Sequence, residues 1–251
     1  MEEILKVKDL CKTFSNSSVQ QHVLKNLNLS IIKGDFTVIM GNSGSGKSTL
    51  LYALSGMDRP TLGSVQYQGK EISKYTNDEL AIFRRKHCGF VFQQNYLNDT
   101  MSVLDNVMIS GLLITKDRKR LANKSKELLL KVGLSNNVFS KFPTQLSGGE
   151  QQRVAMVRGI INSPEILFAD EPTGALNSQN TENVLNILTK LNNEGQSVVM
   201  VTHDIKSARR GNRILYLKDG IIIGELTLGQ YKSNDQERHN KLNDFLKDMG
   251  W

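Results

Sequence analysis

Short apolar runs alternate with helical periodicities along most of the chain. Phe36–Met40 is almost wholly apolar, and Glu165–Ala169 and Val198–Val201 match it. Strands of this kind are buried on both faces, as in parallel sheets. Their alternation with helical patterns predicts an α/β fold with a substantially parallel sheet. Leu5–Leu10 and Leu24–Ile32 predict two earlier strands, separated by a loop rich in Ser, Asn and Gln. Residues 214–228 predict two more strands around the turn Lys218-Asp219-Gly220. Between about Asn95 and Ile160 the pattern is mostly helical and reads as an insertion into the α/β core. Within it, Lys116–Lys131 predicts a helix with a buried stripe of Leu121, Leu128 and Val132 and a solvated basic face. The last stretch is very polar, yet Leu242, Phe245, Leu246 and Met249 recur at helical spacing. They predict a short amphipathic helix that packs on its own domain or meets a partner. The expected organisation is one domain over residues 1–228, a helical part at about 95–160 within it, and a polar tail over 229–251.

Composition narrows the class without naming a function. The chain has 251 residues, of which 39% are hydrophobic and 23% charged, a globular rather than a disordered balance. No apolar run approaches the ~18–20 residues that span a bilayer. The N-terminus, MEEILKVKDL, lacks the charged-then-apolar layout of a secretory signal. Cys11 and Cys88 are far apart and have no metal-ligand spacing around them, so a reduced, cytosolic protein is expected. The net charge of +7 admits nucleic acid, an anionic membrane surface or a polyphosphate as partner, and chooses none of them.

The chemistry begins at Gly41-Asn42-Ser43-Gly44-Ser45-Gly46-Lys47-Ser48-Thr49, which fits G-x-x-x-x-G-K-[ST]. A buried strand precedes it and Leu50–Leu54 opens a helix, the context that this loop needs. Its glycines let backbone N–H groups converge on phosphate oxygens, and the helix N-terminus adds a partial positive charge there. Lys47 would reach the β- and γ-phosphates and Ser48 would ligate Mg²⁺. About 120 residues later, Ile166-Leu167-Phe168-Ala169 runs into Asp170-Glu171. A carboxylate at the end of a buried parallel strand lies beside such a loop. Asp170 is suited to hold Mg²⁺ through water, and Glu171 to polarise the attacking water.

Further elements resemble the ATP-hydrolysing subunits of ABC transporters. Leu146-Ser147-Gly148-Gly149-Glu150, followed by Gln151-Gln152-Arg153, is similar to the family's signature segment. Ser147 can cap a helix whose buried face includes Val154, Val157 and Ile161. The resemblance implies that Ser147, Gly148, Gly149 and Glu150 bind the γ-phosphate of ATP held by the opposite subunit. Gln93, in Gly89-Phe90-Val91-Phe92-Gln93-Gln94, resembles the glutamine that touches Mg²⁺ or the attacking water. His203, in Val201-Thr202-His203-Asp204, resembles the switch histidine at the γ-phosphate, and Phe14 resembles the aromatic that stacks on adenine. One departure is Asn177, which ends Pro172-Thr173-Gly174-Ala175-Leu176-Asn177 where the family usually has Asp.

The resemblance covers residues ~3 to ~228, with every element once and in family order. It implies a P-loop NTPase core with a mostly parallel sheet, an N-terminal antiparallel β subdomain and a helical signature subdomain. It also implies ATP and Mg²⁺ as cofactors and a homodimer closed around two ATP molecules. A separate transmembrane permease would hold the chain at the inner face of the membrane and dock near Asn95, Tyr96 and Leu97. The stretches Val38–Gly41, Asp170–Gly174 and Met200–Asp204 look like the branch that serves macrolide efflux, lipoprotein release, cell division and resistance to antimicrobial peptides of the bacitracin type. Within it, Gly174–Asn177 and the tail ending Asp248-Met249-Gly250-Trp251 look most like the peptide-resistance group. A soluble relative acting on DNA or ribosomes fits less well: Ser48 and Ser147 are only about 100 residues apart, with no long coiled coil between them, and there is one cassette rather than two. No nucleic acid is therefore expected. A small-molecule kinase leaves the Ser147 segment unexplained.

Overall fold

The computed structural model describes residues 2–16, 19–233 and 235–251. Two sheets form the framework. The larger has six strands: β3 (Phe36–Met40), β6 (Cys88–Phe92), β7 (Ile166–Asp170), β8 (Ser197–Thr202), β9 (Arg213–Lys218) and β10 (Ile221–Thr227). Their spatial order is β10-β9-β3-β8-β7-β6, all parallel except β10. Every residue of β3, β7 and β8 is buried, in keeping with their predominantly apolar sequences. The smaller sheet is antiparallel and joins β1 (Glu3–Asn16), β2 (Val19–Ile32), β4 (Leu62–Tyr67) and β5 (Lys70–Glu71) in the order β2-β1-β4-β5.

The first helix, α1 (Lys47–Leu54), is sandwiched between the two sheets. Leu50, Leu51 and Leu54 pack with Leu5, Val7 and Leu10 on one side and with Phe168, Val199 and Val201 on the other. The opposite face of the large sheet, including Val38, Met40, Met200 and Tyr216, is covered by α5 (Gly148–Ile160), α6 (Ser178–Asn193) and α8 (Gln236–Asp248). A separate apolar cluster binds α3 (Val103–Gly111) and α4 (Arg118–Lys131) to α5.

Two sequence expectations are revised. The loop expected between the first two strands is largely strand: β1 and β2 continue as a hairpin arm in which Asn16 lies opposite Val19. This arm has no continuous buried face to signal it. The backbone adopts left-handed φ at Asp9 (49°) and Asn26 (52°), and the register shifts there interrupt the alternation. Secondly, α4 starts at Arg118, where the Asp117 side chain caps it, and it buries Leu129 rather than fully burying Leu128. A helix not predicted from the sequence, α2 (Asn77–His87), forms on a capping box between Thr76 and Glu79.

The tail helix α8 buries Leu242 and Leu246 against the large sheet, with Phe245 and Met249 packed beside them. The insertion helix α5 approaches β6 so closely that a Cβ on Gly89 would lie 2.4 Å from the Gly159 carbonyl oxygen. Gly89→Ala is therefore expected to cost about 1–3 kcal/mol. At roughly 2–4 °C per kcal/mol for a chain of this size, thermal denaturation should register the loss. An unchanged Tm would show that α5 is free to move off the sheet.

Candidate functional site

Parallel strands send the residues that follow them out along one edge. Met40 lies opposite Thr202, and Asp170 opposite both Val201 and Phe92. The segments after β3, β7 and β8 therefore emerge side by side and wall a cavity of about 640 Å³. Asn42, Ser43, Gly44 and Gly46 line it from the loop, and Lys47, Ser48 and Thr49 from the first turn of α1. Glu171 and His203 line it from the strand ends, and Gln21, Val23 and Trp251 from the flanks.

The loop geometry requires its glycines. Gly44 (φ 79°) and Gly46 (φ 101°) are left-handed. A Cβ on Gly41 would lie 2.0 Å from the Leu217 carbonyl oxygen. Gly46 caps α1 without a side-chain hydrogen bond, so the first-turn N–H groups face the cavity uncapped. Lys47 is only 7% exposed, and its ammonium donates to the carbonyls of Gly41 (2.8 Å) and Asn42 (2.9 Å). Burial pulls the Lys47 pKa down, while the carboxylates of Glu171 and Asp170 oppose the shift.

Asp170 is 8% exposed and is held at both oxygens. Ser48 Oγ donates to Oδ1 at 2.9 Å, and Tyr52 Oη donates to Oδ2 at 2.7 Å. Glu171 has a left-handed backbone (φ 46°), unusual for this residue type and the kind of strain found at working sites. Its N–H donates to the Val201 carbonyl at 3.0 Å, and its Oε1 lies 2.9 Å from His203 Nδ1.

The remaining candidates lie outside this cavity's lining. Phe14 is exposed on the β1 arm opposite Gln21, with the Lys12 ammonium 4.8 Å from its ring centre. Gln93 is exposed just past β6 and abuts Gly174, where a Cβ would lie 2.8 Å from Gln93 Nε2. Ser147 caps α5 by accepting from the Glu150 N–H, and Glu150 accepts from the Ser147 N–H in return. Gly148 is open to solvent, and Gly149 is pressed against Asn180. Asn177 accepts from the Asn180 N–H and caps α6, a local task that Asn and Asp perform about equally.

Comparison with known proteins gives this arrangement its family. A sequence profile described as "ABC transporter" matches residues 24–174. The chain belongs to the ABC transporter family. The cassette is 45% identical over 228 residues to the lipoprotein-releasing system ATP-binding protein LolD of Aquifex aeolicus, a match covering 90% of this chain and 99% of that protein. It is 43% identical to the macrolide export ATP-binding/permease protein MacB of Aggregatibacter actinomycetemcomitans, over 92% of this chain but only 36% of that longer protein. Among solved structures it resembles the ATP-binding cassette MJ0796 in a dimeric post-hydrolysis state bound to ADP and Pi. There the TM-score is 0.84 at 40% identity, over 90% of this chain and all of that one.

The cassette is an ATPase that uses ATP with Mg²⁺. Its donor set fits that pair. Ser45 Oγ is buried without a hydrogen-bond partner among the described residues, and Ser48 and Asp170 offer hard oxygen donors side by side. No cluster of three His, Cys, Asp or Glu is found among the described residues. Mg²⁺ requires none, since it takes one or two protein oxygens and completes its shell with phosphate and water.

Sequence reasoning missed Tyr52. It follows Ser48 by four residues and so shares its helix face, a spacing that was available as a signal. Its partner, Asp170, is 118 residues away in sequence. Tyr52→Phe should leave Asp170 Oδ2 without its donor and raise the Mg²⁺ concentration for half-maximal ATPase by roughly threefold to tenfold. A Mg²⁺ titration of steady-state turnover measures this, and an unchanged midpoint would remove Tyr52 from the site.

Proposed function

We propose that the chain closes as a homodimer around two MgATP and drives a separate membrane permease, in resistance to or export of antimicrobial peptides. The observation that carries the dimer is the split of the site. The cavity holds Lys47, Ser48, Glu171 and His203, while the exposed N-terminus of α5 at Ser147 lies outside it. A helix N-terminus is an anion site, and here its anion is the γ-phosphate in the other copy's cavity.

Each residue then has a role. Asn42 to Gly46, with the backbone of Gly41 and Ser45, wrap the phosphates, and Lys47 turns from its carbonyl partners to the β- and γ-phosphates. Thr49 lines the same wall, and Phe14 stacks on adenine from the β1 arm. Ser48, Asp170 and Gln93 hold Mg²⁺, which supplies charge neutralisation at the phosphates. Glu171 accepts a proton from the attacking water as its oxygen bonds to the γ-phosphorus and the bond to ADP breaks. His203 orients Glu171 and meets the γ-phosphate. Ser147, Gly148, Gly149 and Glu150 bind it from the second copy.

Force reaches the permease through α5. Gln152 Nε2 donates to the carbonyls of Phe92 (3.0 Å) and Pro172 (2.8 Å). Arg158 holds the carbonyls of Asn95 (2.7 Å) and Tyr96. The helix that begins at Ser147 thus grips the segment after β6. Beside that segment is a groove lined by Met57, Phe90, Phe92, Ile109 and Leu113, with Met57, Ile109 and Leu113 exposed. An apolar groove of this kind suits a permease helix. No helix among the described residues is long and apolar enough to cross a membrane. The match along 99% of an ATP-binding protein favours a permease on a separate chain. It holds the cassette at the inner face of the cell membrane. The near full-length match to LolD favours a second reading, lipoprotein release, for the same machinery.

Glu171→Gln should bind MgATP yet lower turnover by at least about 10²-fold, so that an ATP-bound dimer accumulates in light scattering. Near-wild-type turnover would dismiss Glu171 as the base. Ser147→Arg should abolish that dimer in the Glu171→Gln background while leaving nucleotide binding to the monomer, whereas Lys47→Ala should weaken binding itself. Membrane proteins co-purifying with tagged Glu171→Gln and ATP would separate the branches.

A further inference from the structure

We infer that Trp251 is a residue of the nucleotide site, carried there by the tail helix as a wall beside the phosphate loop and His203. The proposal rests on the cavity being the nucleotide site. Trp251 lines the same cavity as Asn42, Gly44, Lys47 and His203. Its indole stands edge-on to Tyr216, with ring centres 6.1 Å apart and planes at 85°. Tyr216 is the β9 partner of Met40, the residue before the loop. The indole is still 40% exposed, so it has a free surface to offer a ligand.

The tail is anchored, not draped. Arg238 is 3% exposed and donates to the carbonyls of Arg209 (2.6 Å), Leu228 (3.0 Å) and Gly229 (3.1 Å), and also to that of Gly211. Farther along α8, Gly224 of β10 lets the helix come close, since a Cβ there would lie 2.5 Å from Met249 Sδ. The helix ends on Gly250 in the left-handed region (φ 76°), which redirects the chain, and the Trp251 N–H donates to the Leu246 carbonyl at 2.9 Å. These contacts aim the aromatic ring at the cavity. Its exposed surface lies in the cavity wall, where bound nucleotide can meet it. A ring at this rim tightens MgATP binding by contact and by excluding water.

Trp251 is the only tryptophan in the chain, so the test reads directly from the protein. Intrinsic fluorescence of the Glu171→Gln protein is titrated with MgATP, and binding is measured in parallel by equilibrium dialysis with radiolabelled ATP. The expected result is a saturable change in emission whose midpoint equals the dialysis Kd. Trp251→Ala should raise the KM for ATP by about threefold to tenfold with kcat little changed, and Trp251→Phe should restore most of the affinity. Bound nucleotide with unchanged emission, together with wild-type KM in Trp251→Ala, would overturn the proposal. A rise in KM that Trp251→Phe leaves uncorrected would also overturn the aromatic-wall role. If dialysis detects no ATP, it is the reading of the cavity that fails.

Discussion

Everything at the site depends on β3 running, fully buried, between β8 and β9. In that position the chain must leave the sheet past the Leu217 carbonyl, and only a residue without Cβ passes at Gly41. The loop then turns through left-handed glycines into α1, whose apolar flanks are clamped between two sheets. The helix cannot tilt, so its uncapped N-terminus is aimed into the cavity without reorganisation. Lys47, buried and held by two loop carbonyls, is a positive charge already placed in the wall of the cavity. The cost of burying that charge, seen in its lowered pKa, is the counterpart of its readiness.

The same sheet order makes the end of β7 supply both carboxylates and the end of β8 supply the histidine beside them. Because the strands are parallel, Glu171 reaches His203 from neighbouring strand ends, and Asp170 reaches Ser48 on the first turn of α1. The strained backbone at Glu171 persists because Val201 holds its N–H and His203 its carboxylate. A buried Asp with two donors is rigid; a Glu whose partner His203 is largely exposed is free to exchange that partner for water or phosphate. This contrast suits one carboxylate for holding a cation and the other for moving a proton.

The helical part beside β6 is joined to the sheet through α5, whose Met156 and Ile160 pack in the sheet's apolar cluster. Its other helices share an apolar cluster with α5, and Gln152 and Arg158 fasten α5 to the backbone on either side of Gln93. Through them α5 touches both the segment after β6 and the loop after Glu171. At the other flank, α8 ties the segment after His203 to the end of the chain through Arg238.

What the sequence determined by itself is short-ranged. The phosphate loop, the buried strand ends at Asp170 and Thr202, the Ser147 cap and the amphipathic tail helix each depend on residues within about one or two turns or strand lengths of each other. Local periodicity and capping chemistry encode them directly. The extended β1–β2 arm was not legible, because residues 12–15 and 20–23 form no continuous buried face and much of the arm is held by backbone hydrogen bonds. Tyr52 on Asp170, Gln152 between two loops and Trp251 beside the phosphate loop join positions far apart in the chain. Their meeting depends on which strands become neighbours and on how α1, α5 and α8 pack across the sheet. Only the tertiary structure decided those contacts, since sheet order and helix packing are settled by burial of the whole apolar surface; the local spacing of Tyr52 from Ser48 gives a helix face but not the partner.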